Sequence, residues 1–345
     1  MVVTCAIAFL TFTFCYLFLY QAESLAYLQH TLSGGKTHYD RTIGAVIITF
    51  VLQLIQYWTY RITRLHKRGY ALTYFPSILA LTVLTAVTES GHVSGMWLWL
   101  APLLLALFAG VAWVLKQLEA YEPGNHIAGL FSRSMWVNML TMVGMLLFAV
   151  LFSNNNEVLH NRLKMELLVC KGRYAEALRL GEHSLESDRS LEMLRAYSLA
   201  RVGKLGESFF HYPVTGGSEV LLPDGTTTKT LMMNWKIIKV FSLKKGKADY
   251  LLMGYLLDRD LDGFARNIGK YYKLDSAAIP RHYREALVLY THLRSNRVLT
   301  YRDEVLEADY ADMRALERKF PDRALRATAV RDTYGNTYWY YFAKY

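Results

Sequence analysis

The chain has 345 residues, a hydrophobic content of 53% and a formal net charge of +10. It is longer than one typical domain, and its mean hydropathy of +0.12 lies above that of a soluble protein and below that of an all-membrane transporter. Acidic residues are interleaved with the basic ones throughout, so the charge indicates a mixed solvated surface and argues against a nucleic acid partner.

Apolar stretches occupy most of the first 152 residues. A hydrocarbon core about 30 Å thick requires about 20 predominantly apolar helical residues. A helix also pairs every backbone polar group inside the bilayer. The sequence therefore predicts an all-α chain whose transmembrane domain, residues 1–152, is a five-helix bundle in contact with membrane lipid. The predicted spans are approximately residues 2–20, 42–60, 71–88, 96–115 and 134–152.

The loop between the second and third predicted spans carries four basic residues, Arg61, Arg64, Lys67 and Arg68. Cytoplasmic loops retain Lys and Arg, so this loop is predicted to lie in the cytoplasm. The loop of residues 116–133 is then predicted to lie in the cytoplasm as well. An odd number of spans then places the N-terminus in the cytoplasm and the C-terminal domain in the periplasm of a bacterial inner membrane. The first span could instead be a signal peptide, but it lacks a basic start and a small-residue cleavage site, which favours a retained span.

The apolar centres of the predicted spans contain no Asp, Glu, Lys or Arg. Pumps and ion pathways require ionisable groups at that depth, so the bundle is expected to be an anchor or a docking surface. Gln53, Gln56 and Asn138 place amide side chains within the spans, where a substrate path is the alternative to a structural role. Amide side chains of this kind form hydrogen bonds between helices, which is a structural role.

Residues 153–345 are predicted to form a soluble domain, which begins with two similar segments. Gly172 and Gly203 each follow an apolar helical stretch and precede a small residue, Ala177 or Ser208, by five positions. The first copy, which includes Tyr174, contains G-x-Y-x-x-A and resembles tetratricopeptide repeats. The resemblance covers about 55 residues and implies an α-solenoid of helical hairpins, with these five residues packing each repeat. An ordinary helical hairpin without repeat ancestry is the alternative.

After Pro213, turn residues interrupt the helical periodicity, which resumes in several short stretches that predict eight to ten antiparallel helices in total. Seven of the last twelve residues are aromatic. This ending resembles a family of uncharacterised bacterial multi-pass membrane proteins with a helical-repeat C-terminal region and no assigned activity. The aromatic tail is expected to pack as a cap on the last hairpin, or to contact the membrane interface or a partner.

No catalytic, nucleotide-binding or metal-binding motif occurs, and the three cysteines lack the spacing of a redox or zinc site. The sequence therefore predicts a protein without enzymatic activity, cofactor or metal, acting as a membrane-anchored helical-repeat scaffold for a protein or peptide partner. A small-molecule or lipid-handling protein, either a transporter or an enzyme subunit, is the alternative. Repeat domains bind ligands on the face of their first helices. That face, near residues 159–171 and 191–202, carries the candidate partner-binding residues Arg162, Lys164, Arg195 and Arg201, which are expected to be exposed.

Overall fold

The computed structural model describes residues 1–119, 132–182, 184, 186–276 and 278–343, and it contains helices and no strand over these residues. Part of the predicted cytoplasmic loop 116–133 and the last two residues of the aromatic tail lie outside the described residues. The chain divides into two compact units, an N-terminal unit, Met1–His160, and a C-terminal unit, Asn161–Tyr345.

The described part of the N-terminal unit contains six α-helices, with a π-helical turn, Tyr16–Tyr20, after the first and a 3-10 helix, Lys67–Tyr74, before the fourth. In chain order the α-helices are α1 (Val2–Cys15), α2 (Ala22–Ser33), α3 (Arg41–Thr63), α4 (Phe75–Thr85), α5 (Trp97–Glu119) and α6 (Arg133–Phe152).

Among the described residues, four helical segments are long and apolar enough to cross a membrane: Val2–Tyr20, Arg41–Thr63, Trp97–Leu118 and Arg133–Phe152. The third predicted span, residues 71–88, is not among them, so five continuous spans are not confirmed. That segment is divided between the 3-10 helix and α4, which has only 11 residues. Pro76 favours the division, because proline has no N–H for an α-helical bond and is best accommodated in the first turn of a helix, where it stands in α4.

The 3-10 helix and α4 form a two-part element in the core of the N-terminal unit, where Ala71 and Thr73 are fully buried. The Asn138 Oδ1 atom accepts a hydrogen bond of 2.6 Å from the backbone N of Ala71. The Gln56 Nε2 atom donates one of 3.0 Å to Thr73 Oγ1. Asn138 and Gln56 therefore have the structural role expected from the sequence, and they satisfy polar groups that the two-part element leaves inside the bundle.

The two-part element runs alongside α6 in the same direction. Its beginning is fixed by the bond between Ala71 and Asn138, and at its end the Thr85 carbonyl accepts from the backbone N of Asn154 at 3.3 Å. At about 1.5 Å per residue, the stretch from Asn138 to Asn154 corresponds to about 24 Å, most of the thickness of a hydrocarbon core. The element therefore extends through most of the bundle although neither of its parts is long.

The contacts of α1 and α3 give their directions relative to the two-part element and α6. Helix α1 is parallel to α6, because Asn138 contacts Met1 and the Tyr16 hydroxyl bonds to Ser153. Helix α3 is antiparallel to both, since Arg41 at its start donates to the Phe18 carbonyl near the end of the first apolar segment. The chain thus reverses direction between consecutive long elements.

Helix α5 is antiparallel to α4. Trp97, at the start of α5, packs against Ala86, which follows the end of α4. Further along α5, the ring of Phe108 stacks on that of Phe75, at the start of α4, with centroids 5.6 Å apart. In the described residues, α1, α3, the two-part element, α5 and α6 therefore run alternately in opposite directions.

The C-terminal unit consists of short helices around one apolar core. In chain order they are α7 (Glu157–Cys170), which begins in the N-terminal unit, α8 (Tyr174–Leu178), α9 (Arg189–Arg201), α10 (Leu205–Ser208), α11 (Lys236–Leu243), α12 (Lys247–Leu257), α13 (Leu261–Ile268), α14 (Arg281–Leu293), α15 (Glu304–Lys319), α16 (Arg323–Tyr334) and α17 (Tyr338–Ala343).

Two glycines form the tight turns of the first two hairpins, as the sequence predicted. Gly172 lies between α7 and α8 with φ of 73°, and Gly203 lies between α9 and α10 with φ of 71°. A Cβ atom at either position would meet nothing within 4 Å, so glycine is needed there for its left-handed backbone conformation and not for close packing. Helices α8 and α10 have only five and four residues, so a tetratricopeptide solenoid remains a prediction.

The predicted repeat-packing residues make unequal contacts. Ala177 is fully buried, while Ser208 and Tyr174 are half-buried, and the Tyr174 ring meets that of Tyr197 edge-on. The closest approach in the second hairpin is made by Gly206, where an added Cβ would lie 2.6 Å from the ring of Tyr283 on α14. Gly206, and not Ser208, is therefore the residue that allows α10 to pack tightly.

The aromatic tail packs into the core of the C-terminal unit as α17. Tyr338 and Trp339 are buried, and the indole Nε1 of Trp339 donates to the Glu285 carbonyl on α14 at 2.8 Å. The expectation of a packed cap is confirmed for these residues.

Candidate functional site

The four candidate partner-binding residues divide into two buried and two exposed side chains. Arg162 and Arg195 are 2% and 1% exposed, whereas Lys164 and Arg201 are exposed. The expectation of exposure is therefore wrong for Arg162 and Arg195. Arg201 lies over aromatic rings, with its guanidinium 4.9 Å from the centre of the Tyr174 ring.

Neighbouring acceptors bond the two terminal guanidinium nitrogens of the buried Arg162 and Arg195, although the Nε atom of each has no hydrogen-bond partner in the described part of the chain. Arg162 donates to the Lys229 carbonyl at 2.6 Å and pairs with Asp188 at 3.2 Å. Arg195 donates to Ser187 at 3.0 Å. Arginine is suited to such sites because its planar fork can serve several acceptors at once. Both residues hold the C-terminal unit together and are not available to an outside partner.

The predicted partner face is covered by the chain itself. Residues 215–233, here called the crossing segment, connect α10 to α11 and pass over α9 and α7. Glu192 on α9 accepts hydrogen bonds from the Thr215 backbone N at 2.7 Å and from its hydroxyl at 2.6 Å. Ser190, also on α9, accepts from the Lys229 backbone N at 3.2 Å.

The end of the crossing segment is held by Glu166 on α7. Its carboxylate accepts from three successive backbone N–H groups, those of Leu231, Met232 and Met233, at 2.7–3.0 Å. Burial raises the pKa of Glu166, and the three N–H donors oppose that shift. Burial likewise raises the pKa of Glu192. A partner could reach this face only after these bonds were broken.

An open cavity of about 530 Å³ lies among α14, α15, α16 and α17. Its apolar side includes Leu289, Met313 and Trp339, which are almost completely buried. Three arginines line the rest of it, and we call it the arginine pocket. Its lining residues are Leu289, Leu293, Tyr310, Met313, Arg314, Glu317, Arg318, Arg326, Trp339, Phe342 and Ala343.

The three arginines of the pocket differ in their bonding partners. Arg314 forms an ion pair with Glu317. Arg318 donates to the Arg314 carbonyl at 3.1 Å, and Arg326 donates to the Pro321 carbonyl at 3.4 Å. Within the part of the chain that the structure describes, neither Arg318 nor Arg326 has a carboxylate at ion-pair distance. Two guanidinium groups therefore keep donors for an acidic ligand.

The arginine pocket combines features of a binding site. Its volume lies within the range of about 300–1,000 Å³ usual for ligand sites, which are mainly apolar with a few converging polar groups. Guanidinium groups recognise carboxylate or phosphate with two parallel hydrogen bonds. The arrangement suits a ligand that carries an acidic group beside an apolar portion. Among the described residues, no cluster of three or more His, Cys, Asp and Glu side chains is placed to hold a metal ion.

The pocket was not predicted from the sequence, although a signal exists. Arg314 and Arg318 are four residues apart, which places them on one face of α15. Arg326 follows on the next helix, shortly before the aromatic tail. A basic helix face near a packed aromatic cap is a pattern that could have indicated a pocket between them.

Residues 245–345 match the model of a family described as a family of unknown function (DUF6057). The match covers less than a third of the chain and includes α12–α17, so the whole arginine pocket lies in the region similar to that family. No curated protein and no solved structure matches the chain.

Proposed function

We propose that this protein is a membrane-anchored helical scaffold without catalytic activity, which holds a partner protein beside the bilayer. Four apolar helices of spanning length support the anchor, and the helical C-terminal unit with its arginine pocket supports the binding role. The partner contributes an acidic segment with apolar neighbours, because Arg318 and Arg326 stand beside an apolar wall. These two arginines are the observation on which the proposal rests.

For the anchor, we propose five crossings, with the two-part element as the third. This element runs for about 24 Å beside α6, and the five elements alternate in direction. Arg61, Arg64 and Arg68, near the end of α3, then lie in the cytoplasm with the N-terminus. The C-terminal unit lies in the periplasm of a bacterial inner membrane.

Reporter fusions test this topology. Alkaline phosphatase fused after Tyr345 should be active, because it folds only outside the cytoplasm, and the same reporter fused after Arg64 should be inactive. Activity of the Arg64 fusion, or a C-terminal fusion that is active only as a cytoplasmic reporter, would contradict the five-crossing arrangement.

The binding role is tested by purifying the full chain in mild detergent and identifying co-purifying proteins by mass spectrometry. Arg318→Glu with Arg326→Glu should abolish recovery of a stoichiometric partner, since each reversed charge repels its acidic group. Lys319→Glu is the matched control, because Lys319 is exposed on the same helix and does not line the pocket. Unchanged recovery with the double variant would overturn the proposal.

A ligand of small size is the second candidate, since the pocket volume also fits a lipid or metabolite with an acidic group. Native mass spectrometry of the same preparation separates the two. A bound small molecule that disappears in the Arg318→Glu, Arg326→Glu variant, without any protein partner, would replace the scaffold with a lipid-handling or small-molecule-handling protein.

A further inference from the structure

Helix α11 and its flanks present an unusual surface in the C-terminal unit. Four large apolar side chains are exposed within nine residues: Trp235 by 43%, Ile237 by 50%, Val240 by 52% and Leu243 by 61%. Other exposed apolar residues of this unit, such as Val305 and Leu325, are well separated along the chain, which is normal for a protein surface. A concentrated apolar surface of this kind indicates an interaction site.

The same stretch is strongly basic. Its five lysines are exposed, and no acidic residue occurs between Asp224 and Asp249. We call residues 235–247, with these lysines and the four apolar side chains, the lysine–tryptophan face. The lysines are Lys236, Lys239, Lys244, Lys245 and Lys247.

The opposite side of α11 is anchored in the C-terminal unit. Ile238 and Ser242 are buried, and the Gly246 backbone N donates to the Phe241 carbonyl at 3.0 Å where α11 turns into α12. The helix is therefore held in place by one side. Its four exposed apolar side chains keep between 43% and 61% of their surface open to solvent, so much of their apolar area is not used in the packing of the unit.

We propose that the lysine–tryptophan face docks on the surface of a bilayer that contains anionic lipid, with α11 lying in the plane of the interface. Interfacial helices combine apolar side chains with lysines in this way, and they insert about 5–10 Å into the boundary between headgroups and acyl chains. Tryptophan favours that boundary because its ring is apolar and its N–H is polar.

The charge of the face specifies the kind of lipid. Each lysine near an anionic membrane surface adds an attraction that falls off within a Debye length. The partner of this face is a bilayer and not an acidic protein, because the proposed anchor, with four helices of spanning length among the described residues, keeps a membrane within reach. The inference extends the proposed function and does not depend on what the arginine pocket binds.

The experiment uses the full chain in lipid nanodiscs. Cys5→Ala, Cys15→Ala and Cys170→Ala remove the native thiols, and Leu243→Cys then carries an environment-sensitive fluorophore. Spin-labelled lipids should quench this fluorophore in discs that contain phosphatidylglycerol. Val305→Cys is the matched control, because Val305 is 72% exposed on another helix and has no surrounding lysine cluster.

Quenching at position 243 is expected to be at least about twofold that at position 305, because only the former enters the interface. It should weaken when ionic strength rises from about 0.1 M to about 1 M, which shortens the Debye length from about 10 Å to about 3 Å. Lys244→Glu with Lys245→Glu should have the same effect at low salt.

Equal quenching at the two positions in anionic discs would overturn the proposal. So would quenching at position 243 that is unaffected by salt and by the two charge reversals, since the lysines would then have no role. A fluorophore that is shielded only when a protein co-purifies would assign the face to that protein instead.

Discussion

The two units of this protein satisfy their buried polar groups with different side chains. In the N-terminal unit, neutral amides and hydroxyls form hydrogen bonds with buried backbone groups. Asn138 accepts from the Ala71 backbone, and Ser77 donates to the Leu52 carbonyl. In the C-terminal unit, buried carboxylates accept hydrogen bonds from backbone N–H groups. Glu285 is an example: it is fully buried on α14 and accepts from the backbone of α17.

We attribute the difference to the surroundings proposed for each unit, hydrocarbon for the N-terminal unit and water for the C-terminal unit. An ionised side chain in a bundle surrounded by hydrocarbon has a large desolvation cost that few partners can offset. A neutral amide can still pair a backbone N–H there at a smaller cost. In a unit surrounded by water, a buried carboxylate is tolerable when arginine and several N–H groups converge on it, and its loss then leaves those partners unpaired.

The largest expected effect is that of Glu285→Ala. Glu285 accepts from Arg281 Nε at 2.8 Å, His282 Nδ1 at 3.0 Å and the Tyr338 backbone N at 2.8 Å. Removing a buried, paired charge costs about 3–5 kcal/mol. Hydrogen exchange should become faster throughout α17, while the exposed Glu304→Ala variant changes nothing. Protection of α17 equal to that of the unmodified protein would show that this carboxylate does not hold the tail.

Glu166→Gln should lower the free energy of unfolding by a smaller amount, about 2 kcal/mol. The glutamine NH2 group cannot accept the backbone hydrogen bonds that one carboxylate oxygen of Glu166 accepts. The raised pKa also predicts a pH dependence. The unmodified protein gains stability from Glu166 below the ordinary pKa of 4.5 and loses it as pH rises through the raised value.

The glutamine variant has no such slope. Its deficit relative to the unmodified protein should therefore shrink as pH rises from 4.5 towards neutrality, measured by chemical denaturation followed through exchange at residues 231–233. A deficit that grows over this range would mean that the N–H donors outweigh burial and that the pKa is not raised.

Asn138→Ala should have the smallest effect, about 1 kcal/mol, since hydrogen bonds between membrane helices contribute little each. Asn138→Asp keeps the acceptor and adds a titratable group, so it should destabilise more than alanine does when the carboxyl is ionised. Unfolding in mixed micelles measures both, with the outward-facing Leu140→Ala as control. If the aspartate variant were as stable as the unmodified protein at neutral pH, the contrast between the two units would not come from the cost of charge.

The local features of the sequence predicted much of the fold. Gly172 and Gly203 follow helical stretches at similar positions, and both adopt the left-handed conformation that such turns require. Four helices of spanning length were recognisable from length and hydropathy, whereas the third predicted span is divided at Pro76. Between α12 and α13 the sequence predicted a break but not a left-handed turn, because the left-handed residue there is Arg259 and not glycine.

The contacts of the crossing segment could not be predicted, because they join residues far apart in sequence and the segment has no periodicity. Arg162 was expected to be exposed, as arginines usually are. The spacing of these residues does indicate burial. Glu166 is four residues after Arg162, and Glu285 is four residues after Arg281, within mainly apolar helix faces. Acid–base pairs in such faces are candidates for burial.

The turn within the crossing segment has a practical consequence. The Asp224 carboxylate accepts from the backbone of Thr226, Thr227 and Thr228, and the Thr228 hydroxyl donates to the Leu222 carbonyl at 2.7 Å. The two ends of this exposed turn are thus tied together by their own bonds. An epitope or a fluorescent domain inserted after Gly225 would begin and end at one point, so the location of the C-terminal unit could be followed in cells without a tag on the aromatic tail.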